Sequence, residues 1–245
     1  MTATEPLAAG AAPTATHTPS TPSRRVVDAP TRAMHWLMAF SFLGAYLTAD
    51  GDRWRLVHVS LGYTLLGLLV ARVLWGLLGP RPARLGQLGR PLQGGAAWLQ
   101  AAASGRIDAR QGQNLVLAGS VALLLAVIAP LTLSGLGVYQ QWAGGDWLEE
   151  VHEFFGNGML ALVLAHIGVV LGLSLLRRRN LVAPMLTGRT AGAEPDLVKR
   201  SYTGVAALLL VAVLAFWAWQ WQTAPAAGDA GHAAQSHHDD DDDDD

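Results

Sequence analysis

Cysteine is absent from the 245-residue chain. Its absence excludes disulfides, thiolate zinc sites, cysteine-ligated iron–sulfur clusters and covalent haem attachment through a C-x-x-C-H motif. Any redox centre must therefore be held by other side chains, with histidine first among them. Charge is also scarce: 15% of the residues are charged and 51% are hydrophobic, whereas soluble domains carry roughly 25% charged residues. This composition disfavours a water-soluble fold, and no nucleic-acid partner is expected. The net charge of −2 hides an uneven distribution, because seven of the 19 acidic residues form one terminal run, Asp239 to Asp245.

Large apolar side chains are nearly missing from the first thirty residues, which are rich in Ala, Thr, Pro and Ser. Such a segment cannot bury enough surface to offset its ordering entropy, so residues 1–30 read as a disordered arm. Five apolar stretches follow, at residues 34–49, 56–79, 114–138, 151–176 and 202–221. A bilayer core about 30 Å thick needs about 20 helical residues. Four stretches supply that length, and the first needs its flanks. Ser23-Arg24-Arg25 superficially resembles a twin-arginine signal, but basic residues at this place also anchor a first span on the cytoplasmic side, and no Ala-x-Ala cleavage site follows.

Basic residues set the orientation. Arg24, Arg25 and Arg32 precede the first span, five arginines occupy residues 80–113, and six basic residues follow the fourth span, so fourteen of the 17 fall on one side. The other side has Arg53 and Arg55, with Asp146, Glu149 and Glu150 in the loop 139–150. The N-terminus is expected in the cytoplasm and the C-terminus outside it. Pro80, Pro82 and Pro91 stop the second helix and open a long cytoplasmic loop. Trp54, Trp142, Trp147, Trp217, Trp219 and Trp221 fall at outer span ends, as interfacial anchors do.

Of eight histidines, His17, His232, His237 and His238 lie in polar tails, and His35, His58, His152 and His166 lie in apolar spans. An ionisable group within a membrane is costly and marks a functional site by default. For a single histidine, a hydrogen bond to a neighbouring helix explains the placement as well as a function does. Four together are harder to explain in that way. His152 and His166 are fourteen residues apart, about 21 Å along one helix and within about 40° of one face. In the expected topology His58 lies level with His152 near the outer surface, and His35 lies level with His166 near the inner one. Two opposed imidazoles without a thiolate or carboxylate suit the axial positions of a haem iron better than a tetrahedral zinc site.

Neighbouring residues are compatible with that use. Gly62 and Gly156 each follow an outer histidine by four residues and leave room for a flat macrocycle, although ordinary small-residue helix packing accounts for them equally well. Met159 either walls the space between the two sites or simply packs. Arg72, the basic residue within a span, shares the face of His58 about 21 Å deeper. It is placed either to neutralise a haem propionate or to snorkel to the interface.

The chain resembles the bacterial cytochrome b561 family of dihaem membrane cytochromes, related to the b-type subunits of nickel–iron hydrogenases and formate dehydrogenases. The strings that carry the resemblance are Asp28-Ala-Pro-Thr-Arg32-Ala-Met-His35-Trp36, HVSLGYTLLGLLVARVLWGLLGPRPARL from His58, Gly112-Gln-Asn114, and EVHEFFGNGMLALVLAHIGVVLGLSLLRRRNLVAPMLTGRT from Glu150. The resemblance implies an all-α membrane protein whose four-helix transmembrane bundle binds two b-type haems through His35, His58, His152 and His166. It also implies a quinol or quinone as the membrane-side partner. The other partner would be a periplasmic cytochrome c or a dehydrogenase subunit, and the location the bacterial inner membrane. The place considered for a quinone is the basic inner loop around Arg81 and Arg84. The bundle is expected over residues 31–190.

Two features depart from a four-span member. A fifth, histidine-free transmembrane helix is expected within residues 191–222, suited to partner docking or tethering. Beyond it, residues 223–245 read as a disordered His/Asp-rich tail, whose acidic block serves solubility, docks a basic partner or loosely binds divalent cations. Two non-redox readings compete: a passive membrane anchor and a divalent-cation transporter. A transporter would be expected to carry carboxylates or broken helices at mid-membrane, and the spans contain only Glu153, at an outer edge, and Pro130. The first span is expected to persist in the mature protein; N-terminal sequencing that begins near residue 50 would overturn this topology.

Overall fold

The computed structural model describes residues 22–142 and 146–223. Most of the arm and the acidic tail, with His17, His232, His237 and His238, therefore lie outside the described residues.

The first helix, α1 (Ala29–Leu47), starts where its sequence dictates. Asp28 accepts the Thr31 N–H at 2.7 Å and Pro30 occupies the first turn, so an orphan donor is satisfied and φ is preset for a helix. Asp28 is buried, and its second oxygen accepts the Trp75 indole N–H at 3.2 Å. A 3₁₀ turn at Asp52–Trp54 leads into α2 (Arg55–Leu78), which returns antiparallel and packs along α1.

Helices α5 (Ala109–Tyr139) and α6 (Asp146–Leu176) form the second and most extensively packed hairpin. At 31 residues each they run about 46 Å, longer than the bilayer core. Phe42, Leu65, Ile128, Leu131 and Met159 form the central apolar cluster, which joins all four helices. Met159 thus packs in the core between the levels of His152 and His166.

The last helix, α8 (Thr203–Thr223), has no buried residue yet is apolar around its whole circumference. Such a helix is stable in lipid and not in water. It lies against α1, and its Trp217 indole donates to the Thr64 hydroxyl of α2 at 2.8 Å. Four helices, α2, α5, α6 and α8, are long and apolar enough to cross a membrane. With its 19 residues, α1 is not among them; Arg32, His35 and Ser41 lower its apolarity.

Two expectations need correction. Residues 1–30 are not uniformly a disordered arm, because β1 (Ser23–Arg25) pairs antiparallel with β2 (Arg189–Ala191). Arg24 pairs with Glu194, the Arg25 N–H donates to Asp196 at 2.6 Å, and Arg189 donates to the Ser23 carbonyl at 2.8 Å. A short polar segment is therefore ordered by partners about 170 positions away, a contact that local composition does not encode. The sheet is a small β staple on a fold that is otherwise helical, as expected. Finally, residues 80–113 are not a plain loop. They contain α3 (Gly86–Gln93) and α4 (Gly95–Ala103), which pack on the start of α5, where Trp98 covers Gly112 and donates to the Asp108 carbonyl at 2.8 Å. Tertiary packing stabilises short helices that are marginal alone.

The segment 180–188 closes the basic end of the bundle. It contains α7 (Ala183–Thr187), which ends at Gly188 with φ +77°, a left-handed cap. The Gly188 carbonyl accepts the Val26 and Val27 N–H groups, while Arg32 and Trp36 donate to carbonyls of Met185 and Leu186. Replacing Asp28 with alanine removes a cap and strands a buried indole donor, an expected loss of about 2–4 kcal/mol. Asp28→Asn, which keeps one acceptor, should lose less, and thermal melts of the two variants in detergent check the order.

Candidate functional site

The topology brings the outer histidines together. His58 lies in the first turn of α2 and His152 in the second of α6, with ring centroids 5.9 Å apart and planes at 83°. Two rings this close on different helices are placed to serve one bound group.

Each ring is oriented through its other nitrogen. His58 Nδ1 lies 2.8 Å from the Ala45 carbonyl, at the last turn of α1, and His152 Nδ1 lies 2.9 Å from the Leu131 carbonyl on α5. A carbonyl oxygen only accepts, so both Nδ1 atoms carry the proton and donate. That leaves Nε2 of each ring available for ligation, the arrangement common in metal-binding histidines. Leu131 can offer its carbonyl because α5 passes very close to His152. At Gly135 an added Cβ would sit 2.7 Å from His152 Cε1, so no larger residue fits there.

The inner pair is assembled differently. His166 Nδ1 lies 3.0 Å from the Ser120 hydroxyl, which itself donates to the Leu117 carbonyl at 2.9 Å. The hydroxyl hydrogen is thus committed, and Ser120 accepts from a protonated Nδ1, again freeing Nε2. His35 of α1 lies within electrostatic range of His166. Its Nδ1 is buried without a hydrogen-bond partner among the described residues, and its ring meets Trp36 edge-on at 5.1 Å. A buried, unpartnered imidazole nitrogen is costly, and its presence is in keeping with a ring that serves a bound group.

Space is available beside the outer pair. A Cβ at Gly62 would meet nothing within 4 Å, and one at Gly156 only the tip of Leu131 at 3.9 Å. Among the described residues no group of three or more His, Cys, Asp or Glu is placed to hold a metal ion. The donor set is imidazole alone, which fits an iron whose remaining positions are filled by a macrocycle. Arg72 is buried instead of snorkelling. Its Nη1 donates to the Ala83 carbonyl at 3.2 Å and its charge interacts with that of Asp28.

Ser120, Gly135 and the carbonyls of Ala45 and Leu131 were not picked out from the sequence. Nothing local distinguishes a carbonyl that will orient a histidine from any other; Gly135 and Ser120, small residues on the helix facing two histidines, were the available signals.

The described residues thus form a helical bundle, with helices long and apolar enough to cross a membrane, that holds a close pair of oriented histidines. Residues 26–188 match the family of prokaryotic cytochrome b561, and the chain belongs to that family. The matched region contains all four histidines and Arg72 and ends before α8. No curated protein and no solved structure matches the chain. Family membership makes the protein an integral membrane cytochrome that transfers electrons through b-type haem.

The close approach at Gly135 generates a direct test. Gly135→Ala should displace His152 and lower the haem-to-protein ratio, measured as pyridine haemochrome, by about half. An unchanged ratio would show that His152 does not depend on this contact.

Proposed function

We propose that the protein carries electrons across the bacterial inner membrane through two b-type haems, one held by His58 and His152 and the other by His35 and His166. The observation that supports the reading is the outer pair: two imidazoles with ring centroids 5.9 Å apart, each donating its Nδ1–H to a main-chain carbonyl. Haem held by these histidines would supply one-electron chemistry between ferric and ferrous iron. The chain's own residues do the rest. The carbonyls of Ala45 and Leu131 fix the outer rings, and Ser120 fixes His166. His152 and His166 on one helix space the two sites by about 21 Å, so that an electron crosses the bilayer in two shorter steps. In this reading α1 is a fifth span.

The basic end, with Arg24, Arg25 and the arginines after α6, faces the cytoplasm by the positive-inside rule. Quinone or quinol is the membrane-side partner, and a periplasmic cytochrome c or a dehydrogenase subunit the other. α8, which packs on α1 outside the matched region, offers a lipid-exposed surface for such a subunit. Arg72, already bonded to Ala83, serves the inner site by holding the end of α2 and, through its remaining N–H groups, by balancing propionate charge.

A reduced-minus-oxidised spectrum with a haem count tests the proposal. Two b-type haems per chain are expected, and His152→Ala should lose the outer one and keep the inner. A single haem in the parent protein, or loss of neither in the variant, would refute the assignment.

A further inference from the structure

At the basic end of the bundle, where α5 begins and α6 ends, a cavity of about 450 Å³ opens against the segment after α6. Arg110, Arg177 and Arg179 line it together with the apolar Leu176, Leu181 and Pro184. No carboxylate lines the cavity, and among the described residues the one salt bridge joins Arg24 to Glu194. Three positive charges therefore converge without an acidic partner.

The three are held in different ways. Arg177 donates through Nε to Gln113 at 2.8 Å and through one Nη to Asn114 at 3.0 Å, which fixes its guanidinium and leaves other N–H groups over. Arg179 donates one Nη to the Ala191 carbonyl at 3.2 Å. Arg110 has no side-chain hydrogen bond among the described residues and stands in the first turn of α5, where the helix dipole disfavours a cation. The nearby Asp108 carboxylate accepts the backbone N–H groups of Arg110 and Gln111 as the helix cap. It covers part of that cost without entering the cavity. A phosphate accepts from several guanidinium groups at once and supplies the missing negative charge.

The surroundings indicate what carries the phosphate. The cavity lies at the end of two membrane-spanning helices, and Leu175 and Leu176 beside it are 79% and 71% exposed. A free anion would gain nothing from those leucines, whereas acyl chains would cover them. We propose that this cavity binds the phosphate headgroup of an anionic phospholipid through Arg110, Arg177 and Arg179, with its acyl chains lying along Leu175 and Leu176. The site is independent of how many haems the bundle holds.

Native mass spectrometry of the full-length holoprotein, released from nanodiscs of phosphatidylglycerol or phosphatidylcholine, tests the proposal. Retained phosphatidylglycerol and no retained phosphatidylcholine is the expected result. Arg110→Gln/Arg179→Gln, which spares the Arg177 bonds, should cut retention by roughly tenfold or more, with the haem spectrum as the check on folding. Arg106→Gln, an exposed arginine at the same end but outside the cavity, should leave retention unchanged. Equal loss in Arg106→Gln would assign the effect to general surface charge and overturn the proposal. Unchanged retention in the double variant, displacement of the lipid by a quinone analogue, or displacement by millimolar inorganic phosphate would do so too.

Discussion

A carbonyl oxygen accepts hydrogen bonds and never donates them, and the chemistry of the outer histidine pair follows from that asymmetry. Once Ala45 and Leu131 each accept an Nδ1 hydrogen bond, neither ring can flip without losing that bond, and each Nε2 is left available to ligate. Each carbonyl takes the imidazole in addition to bonds within its own helix. Ala45, in the last turn of α1, also accepts the Thr48 N–H at 3.2 Å, and Leu131 also accepts the Ser134 hydroxyl at 3.0 Å. Leu131 is four residues before Gly135, where α5 approaches α6 closely enough for a ring to reach in. Tautomer, orientation and ligand competence thus rest on backbone geometry.

The two ends of the bundle are organised by different forces. At the outer end, imidazole-to-carbonyl bonds link α2 to α1 and α6 to α5. At the basic end, polar contacts distant in sequence form a cap. Asp28 ties the start of α1 to Trp75 of α2, Arg72 holds the turn at Ala83, and the β1–β2 staple ties the N-terminal segment to the chain after α6. Between the ends lies the apolar cluster around Leu65 and Met159, with Ser41, Thr64 and Thr132 buried next to its members in the chain. This central layer separates the two histidine levels.

The four spans from α2 onward and the histidine-bearing helix α1 were legible because apolar length and histidine placement are local properties. The pairing of His58 with His152 was legible as well, since antiparallel connection and equal depth leave little choice of partner. The β staple was not, because Ser23–Arg25 has no strand pattern and its partner lies far along the chain. The helices at Gly86–Gln93 and Gly95–Ala103 were hidden by proline and glycine, whose local penalty is outweighed by packing on α5. Arg72 was placed at the right depth, but its bond to Ala83 depends on how the turn after α2 folds back.

By itself the sequence determined that the chain is a membrane protein, that any redox centre lacks thiolate ligands, and which histidines lie in apolar surroundings. These follow from composition and from spacing along single helices. The tertiary structure decided which nitrogen of each imidazole is free, how closely the outer rings approach, and how the arginines at the basic end gather around one cavity. Those properties depend on atoms from different helices meeting within a few ångströms, and no single helix carries that information.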